Sequence, residues 1–159
     1  MPGIFFLSEA SVLNELKIRD LTSFLPLHKL LLSYVLFAFL TNLYREIVKD
    51  LQDQVGDKLA NINTAAVFFG KNNTKLIAII IALVNAIVIT FAFSQSIFSN
   101  IPYLFTILSL LIQTPLSISI IKLIQAKDDK AFRNVGLWIK LIMINGLILI
   151  TYITINPYG

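Results

Sequence analysis

Cysteine is absent from this 159-residue chain, which excludes disulfides, thiolate nucleophiles and cysteine-based metal sites. Histidine occurs once, at His28, so no pair of imidazoles can build a metal or acid–base centre. Charge is scarce as well: 14% of residues are charged and 57% are hydrophobic, against about 25% charged in soluble domains. A soluble domain of this size cannot hide so much apolar surface. Low-complexity tracts, internal repeats and flexible linkers are also missing, so the chain reads as one helical unit, 1–159.

What is present is a set of long charge-free runs. "LIAIIIALVNAIVITFAF" (76–93) and "IFSNIPYLFTILSLLIQTPLSISII" (97–121) hold no charge, and "VGLWIKLIMINGLILITYITI" (135–155) holds only Lys140. Each approaches the roughly 20 apolar residues a helix needs to cross a bilayer. A fourth run, centred on "LLLSYVLFAFLTNLY", begins near His28, too far from Met1 for a signal peptide. The expected fold is an all-α, polytopic membrane helix bundle of four transmembrane helices, at about 28–48, 76–95, 99–122 and 135–155. The net charge of +4 is distributed as topology and not as a nucleic-acid footprint. Arg45, Lys49, Lys58, Lys71 and Lys75 lie between the first two spans; Lys122, Lys127, Lys130, Arg133 and Lys140 lie between or beside the last two. By the positive-inside rule the loop at about 49–74 is cytoplasmic and both termini face outward. No nucleic-acid partner is expected; membrane lipids are.

Smaller features follow from this layout. Pro115 lies inside the third span and frees a carbonyl that neighbouring helices, Thr114 or Ser117 must satisfy. Pro102 sits harmlessly at that span's start. Trp138, Tyr152 and Tyr158 read as interfacial anchors. Asn85, Gln113 and Asn145 are polar residues deep in the later spans and should face the bundle interior, bonding between helices in preference to lining a cavity. His28 falls on the side opposite the cytoplasmic loop and is not a catalytic candidate. "AKDDKAFRN" (126–134) is a charged connector on the cytoplasmic side.

The first span runs directly into "REIVKDLQDQVGD" (45–57). If its helix continues, then with Asp50 as zero Glu46 falls at about 320°, Asp53 at about 300° and Asp57 at about 340°. Four carboxylates share one stripe, flanked by Asn42 at about 280°, Lys49 at about 260° and Arg45 at about 220°. Gly56 could break the helix before Asp57. Like charges at this spacing repel, so something must offset them. Local ion pairs with Arg45 and Lys49 would do so in an ordinary solvated exit turn. The functional alternative is a hard divalent ion: Mg²⁺ uses one or two carboxylates, keeps waters, and takes other ligands from substrate phosphates. Arg45, Lys49 and Lys58 could then hold phosphate charge that the ion does not cover. The spacing does not fit an EF-hand.

"REIVKDLQDQVGDKLANINTAAVFFG" resembles the second aspartate-rich motif of the UbiA superfamily of intramembrane prenyltransferases, close to R-E-x-x-K-D-x-x-D-x-x-G-D-x-x-x-G-x-x-T-L-P. The matching positions are Arg45, Glu46, Lys49, Asp50, Asp53, Gly56, Asp57, Thr64 and Gly70. The opening is most similar to the branch that alkylates geranylgeranylglyceryl phosphate to make ether lipids. The resemblance implies a Mg²⁺-dependent transfer of a prenyl group from an allylic polyprenyl diphosphate to that acceptor or to an aromatic lipid-quinone precursor. It implies Asp53 and Asp57 as the ion-binding pair, Asp50 and Glu46 in support, and Arg45, Lys49, Lys58 and Asn42 on the diphosphate. It further implies equivalence to the last four helices of a nine-helix enzyme, in a cytoplasmic membrane.

The chain departs from the family in three places. Asn61 stands for a glycine, a mild change because Asn tolerates the left-handed backbone. "TAA" replaces "TLP". The first motif, N-D-x-x-D-x-x-x-D, has no counterpart, since no Asn-Asp dipeptide occurs. The expectation is a carboxy-terminal half that is inactive alone: a truncated gene product, one part of a split protein completed by a separate amino-terminal half, or a decayed remnant. The competing class is a non-catalytic small membrane subunit or a cation-handling transporter component.

Overall fold

The computed structural model describes residues 32–94 and 102–155. The expectations for both termini, His28 and Tyr158 lie outside the described residues. Every regular element described is helical: α1 (32–59), α2 (Ala65–Phe68), α3 (Lys71–Ser94), α4 (Pro102–Gln125) and α5 (Asp129–Ile155). At about 1.5 Å per residue, α3 and α4 reach about 36 Å and α5 about 40 Å, longer than a hydrocarbon core of about 30 Å.

Among the described residues two helices are long and apolar enough to cross a membrane, Lys71–Phe91 and Asp129–Thr151. Only 28% and 22% of their apolar windows are buried, the reverse of a soluble core helix. Leu76, Ile80, Ile87 and Phe91 on α3, and Leu137, Ile144, Leu147 and Ile148 on α5, face outward. The apolar part of α4, Leu110–Gln125, is shorter.

The buried seam is built from spaced residues. On α3 it runs Thr74, Ala78, Ala82, Asn85 and Ile89. On α1 it runs Phe37, Thr41, Tyr44, Val48 and Leu51. A Cβ on Gly146 of α5 would lie 2.5 Å from Phe37 Cε1, so the α1 ring occupies the space this glycine leaves.

Asn85, Gln113 and Asn145 all bond between helices. Asn85 Nδ2 donates to Thr41 Oγ1 of α1 at 2.8 Å. Gln113 of α4 donates to Thr90 Oγ1 and Ala86 O of α3 at 3.0 and 3.3 Å. Asn145 Nδ2 of α5 donates to Leu111 O of α4 at 2.7 Å. Leu111 is the residue four before Pro115, so its carbonyl is the one the proline leaves without an N–H. A neighbouring helix therefore satisfies it, and not Thr114 or Ser117. Tyr44 Oη donates to Ser119 Oγ at 3.3 Å, and Ser119 Oγ donates onward to Leu116 O at 2.7 Å.

Two lysines of α3 serve the end of α4. Lys75 Nζ donates to Ile124 O at 2.7 Å and Ala126 O at 2.9 Å, and Lys71 Nζ to Lys127 O at 2.7 Å. Cations at a helix C-terminus complement its unpaired carbonyls and its dipole. Asp129 in the first turn of α5 does the same for that helix's positive end.

Candidate functional site

Helix α1 does not break at Gly56; it runs through Asp57 to residue 59. Gly56 keeps an ordinary helical φ with open space around it, so its cost is only the entropy of a mid-helix glycine, about 1 kcal/mol. The stop comes later. Asn61 adopts φ 55, Ile62 N–H donates to Asp57 O at 2.9 Å and Asn61 N–H to Lys58 O at 3.4 Å. This is a Schellman end with asparagine in the left-handed position. All four carboxylates of the stripe thus lie on one continuous helix.

The stripe points away from the bundle. The buried residues Phe37, Thr41, Tyr44, Val48 and Leu51 centre on about 140°, roughly opposite Glu46, Asp53 and Asp57. Asn42, Glu46, Lys49 and Lys58 are exposed, while Arg45, Asp50, Asp53 and Asp57 are half-buried. Arg45 Nη1 pairs with Glu46 Oε1 at 2.9 Å, the one ion pair among the described residues. Gln52 Nε2 donates to Asp53 Oδ1 at 3.2 Å. Asp57 holds the end of α1 through its backbone carbonyl, which leaves its carboxylate to the open face.

Asp50 stands on the edge of the stripe nearest the returning loop. Its Oδ2 accepts the Ala65 N–H at 3.2 Å. Gln54, one turn on, donates its Nε2 to Ala66 O. Burial pushes the Asp50 carboxyl above its ordinary value; the Ala65 N–H opposes this, Asp57 and Glu46 add to it, and Lys49 opposes it. A cation bound nearby would relieve part of that cost.

The donors suit a hard ion: carboxylate oxygens with no competing sulfur or imidazole. Among the described residues no three acidic or imidazole groups converge as a self-sufficient cage. Mg²⁺ does not need one when phosphate oxygens and waters complete its octahedron. Asp53 and Asp57, one turn apart on the open face, fit the protein's share of such a centre. Asp128 and Asp129 are exposed, the first in the α4–α5 connector and the second at the start of α5, outside the stripe.

Two features of the site escaped sequence reasoning. Gln54 is a side chain whose role depends on a backbone atom twelve positions away. Lys71 and Lys75 follow the stripe closely in sequence but are turned to carbonyls at the end of α4. Thr64, the residue before α2, keeps its Oγ1 buried without a partner.

The model of the UbiA prenyltransferase family matches residues 11–143. Two curated relatives are both named digeranylgeranylglyceryl phosphate synthase. The protein from Methanosphaera stadtmanae is 36% identical over 72 residues, 45% of this chain and 26% of its own length. The protein from Saccharolobus solfataricus is 31% identical over 113 residues, 71% of this chain and 38% of its own length. The chain therefore spans well under half the length of the curated relatives it matches. No solved structure matches.

Proposed function

We propose, for a chain that belongs to the UbiA prenyltransferase family and is similar to its digeranylgeranylglyceryl phosphate synthases, that it contributes the second aspartate-rich half of a prenyl-transfer site in a membrane. The donor would be a polyprenyl diphosphate, and the names of the relatives favour geranylgeranylglyceryl phosphate over an aromatic quinone precursor as acceptor. The observation that carries the reading is that Glu46, Asp50, Asp53 and Asp57 share one face of α1, turned away from the bundle, in a chain of this family.

Asp53 and Asp57 would hold Mg²⁺, with Glu46 in support and Asp50 at the edge of the stripe beside the returning loop. When bound, the ion would supply charge neutralisation for the departing diphosphate. Lys49, Lys58 and Asn42, all exposed beside or beyond the stripe, would bind diphosphate oxygens, and Arg45 would do so at the expense of its pairing with Glu46. Toward the membrane interior the same face of α1 becomes apolar, through Val35, Leu36, Phe39 and Leu43. That sequence of surfaces suits an amphiphile with an isoprenoid tail and an anionic head. Water exclusion by the apolar part would protect an allylic cation until the acceptor captures it.

Four spans, at about 28–48, 76–95, 99–122 and 135–155, form one unit equivalent to the last four of nine, with the loop 49–74 on the cytoplasmic side. The family's first motif has no counterpart in this sequence, and a separate amino-terminal half is the proposed source of its carboxylates. The chain alone should therefore bind Mg²⁺-diphosphate weakly and transfer no prenyl group.

Purified chain in nanodiscs tests both statements. Mg²⁺-dependent binding of inorganic pyrophosphate should be lost in Asp53→Asn and Asp57→Asn. Turnover of geranylgeranyl diphosphate by the chain alone would sink the half-site reading, and binding unchanged by either substitution would remove the stripe from the site.

A further inference from the structure

Within the stripe, the four carboxylates are not equivalent. Seen down α1, Glu46, Asp53 and Asp57 lie at about 300–340°, while Asp50 lies at about 0° and Gln54 at about 40°, on the edge facing the loop. Both edge residues are committed to that loop. Asp50 Oδ2 accepts the Ala65 N–H at 3.2 Å, and Gln54 Nε2 donates to Ala66 O. From the other side Thr74 Oγ1 of α3 donates to Ala65 O at 2.9 Å. Three side chains from two helices thus grip the backbone of two consecutive residues, 65 and 66. The segment between Asn61 (φ 55) and Gly70 (φ 80) is thereby folded back over residues 50–54, with Ala66 fully buried.

We propose that Asp50 is a positioning residue, which with Gln54 latches the 64–66 segment along one edge of the stripe, and that it is not itself a ligand of the ion. This rests on the reading of the stripe given above and divides its labour. Asp53 and Asp57 remain for the ion, and the latch fixes the wall beside them. Residue 66 explains why a latch is needed here. A proline at this point would fix its own φ, whereas Ala66 has no such restraint and is held instead through its carbonyl. The grip also places Thr64, whose buried Oγ1 lacks a partner, immediately before the latched unit at the edge of the stripe.

The test separates acceptor from charge. Asn at position 50 keeps an oxygen that can accept the Ala65 N–H but loses the negative charge a metal ligand needs; Ala loses both. Amide hydrogen exchange of the full chain in nanodiscs should accelerate about tenfold across 64–66 in Asp50→Ala and Gln54→Ala, the expected effect of losing one such bond. In Asp50→Asn it should stay within about threefold of wild type. Binding of Mg²⁺-pyrophosphate should likewise stay within about threefold in Asp50→Asn. Loss of binding in Asp50→Asn as large as in Asp53→Asn would overturn the assignment, as would unchanged exchange in Asp50→Ala. If Asp53→Asn and Asp57→Asn bind like wild type, the diphosphate site itself fails, and the exchange measurements still decide whether the latch exists.

Discussion

Replacing Asn145 with Leu should destabilise the bundle, and replacing Pro115 with Ala should abolish that effect. Pro115 removes the N–H that would bond Leu111 O within α4, and Asn145 Nδ2 supplies the missing donor from α5 at 2.7 Å. Leu111 is 49% exposed, and on the proposal that α4 spans a membrane that surface faces lipid, where water does not replace the lost donor. Interhelical side-chain bonds in membranes average about 0.6 kcal/mol and reach about 2. An unmet carbonyl puts this case near the upper end, so Asn145→Leu should cost about 1–2 kcal/mol. In the Pro115→Ala background residue 115 donates to Leu111 O, and Asn145→Leu should cost close to nothing. Reversible unfolding of wild type, both single variants and the double variant in mixed micelles gives the coupling, expected at about 1–2 kcal/mol. A coupling below about 0.3 kcal/mol would show that Asn145 and the proline are independent and would refute the reasoning.

Gly146→Ala should cost about 1–3 kcal/mol, because its Cβ would lie 2.5 Å from Phe37 Cε1, and Phe37→Leu should recover part of the loss in the same unfolding assay. Lys75→Met leaves Ile124 O and Ala126 O without their donor and should speed hydrogen exchange at the end of α4 while costing about 1–3 kcal/mol. Gly56→Ala has open space and helical backbone and should raise stability by about 0.5–1 kcal/mol. Asp50 has its carboxyl raised above 3.8, so the fold binds its proton more tightly than the unfolded chain does, and stability is lost as pH rises through the raised value. Asp50→Asn should accordingly be no less stable than wild type at neutral pH, with any advantage gone below pH 3.8, measured by unfolding at both pH values.

The stripe was legible in the sequence because helical spacing is a local rule: residues 46, 50, 53 and 57 share a face wherever the helix goes. Its end was less so. Gly56 suggested a break, yet a single glycine costs too little to stop a helix whose neighbours Leu51 and Val48 are buried. Asn61 could be read as a tolerable substitute for glycine, and it does take the left-handed conformation. Asn85, Gln113 and Asn145 could be expected to bond between helices, but not with which partner, since each partner lies on another helix. For the same reason Asp50 and Gln54 could not be told from Asp53: their distinction comes from the loop that returns at residues 65 and 66. Lys71 and Lys75 were legible only as charge on one side of the membrane, because three-dimensional packing alone brings the end of α4 within their reach.

The charge balance of α1 argues against an ordinary solvated exit turn. Such a turn offsets its carboxylates with ion pairs one helical turn away, and Lys49 is spaced to provide them, three residues after Glu46 and four before Asp53. In the structure Arg45 turns to its sequence neighbour Glu46, and neither Lys49 nor Lys58 pairs with an aspartate among the described residues. Four carboxylates therefore face one ion pair. Asp50 is partly compensated by a backbone N–H and Asp53 by an amide, both neutral donors, while burial and the nearby Asp57 and Glu46 make the ionised Asp50 costly. A helix that places its cations beside its carboxylates without pairing them leaves both signs available to something else, and a cation bridged to an anionic headgroup uses both at once.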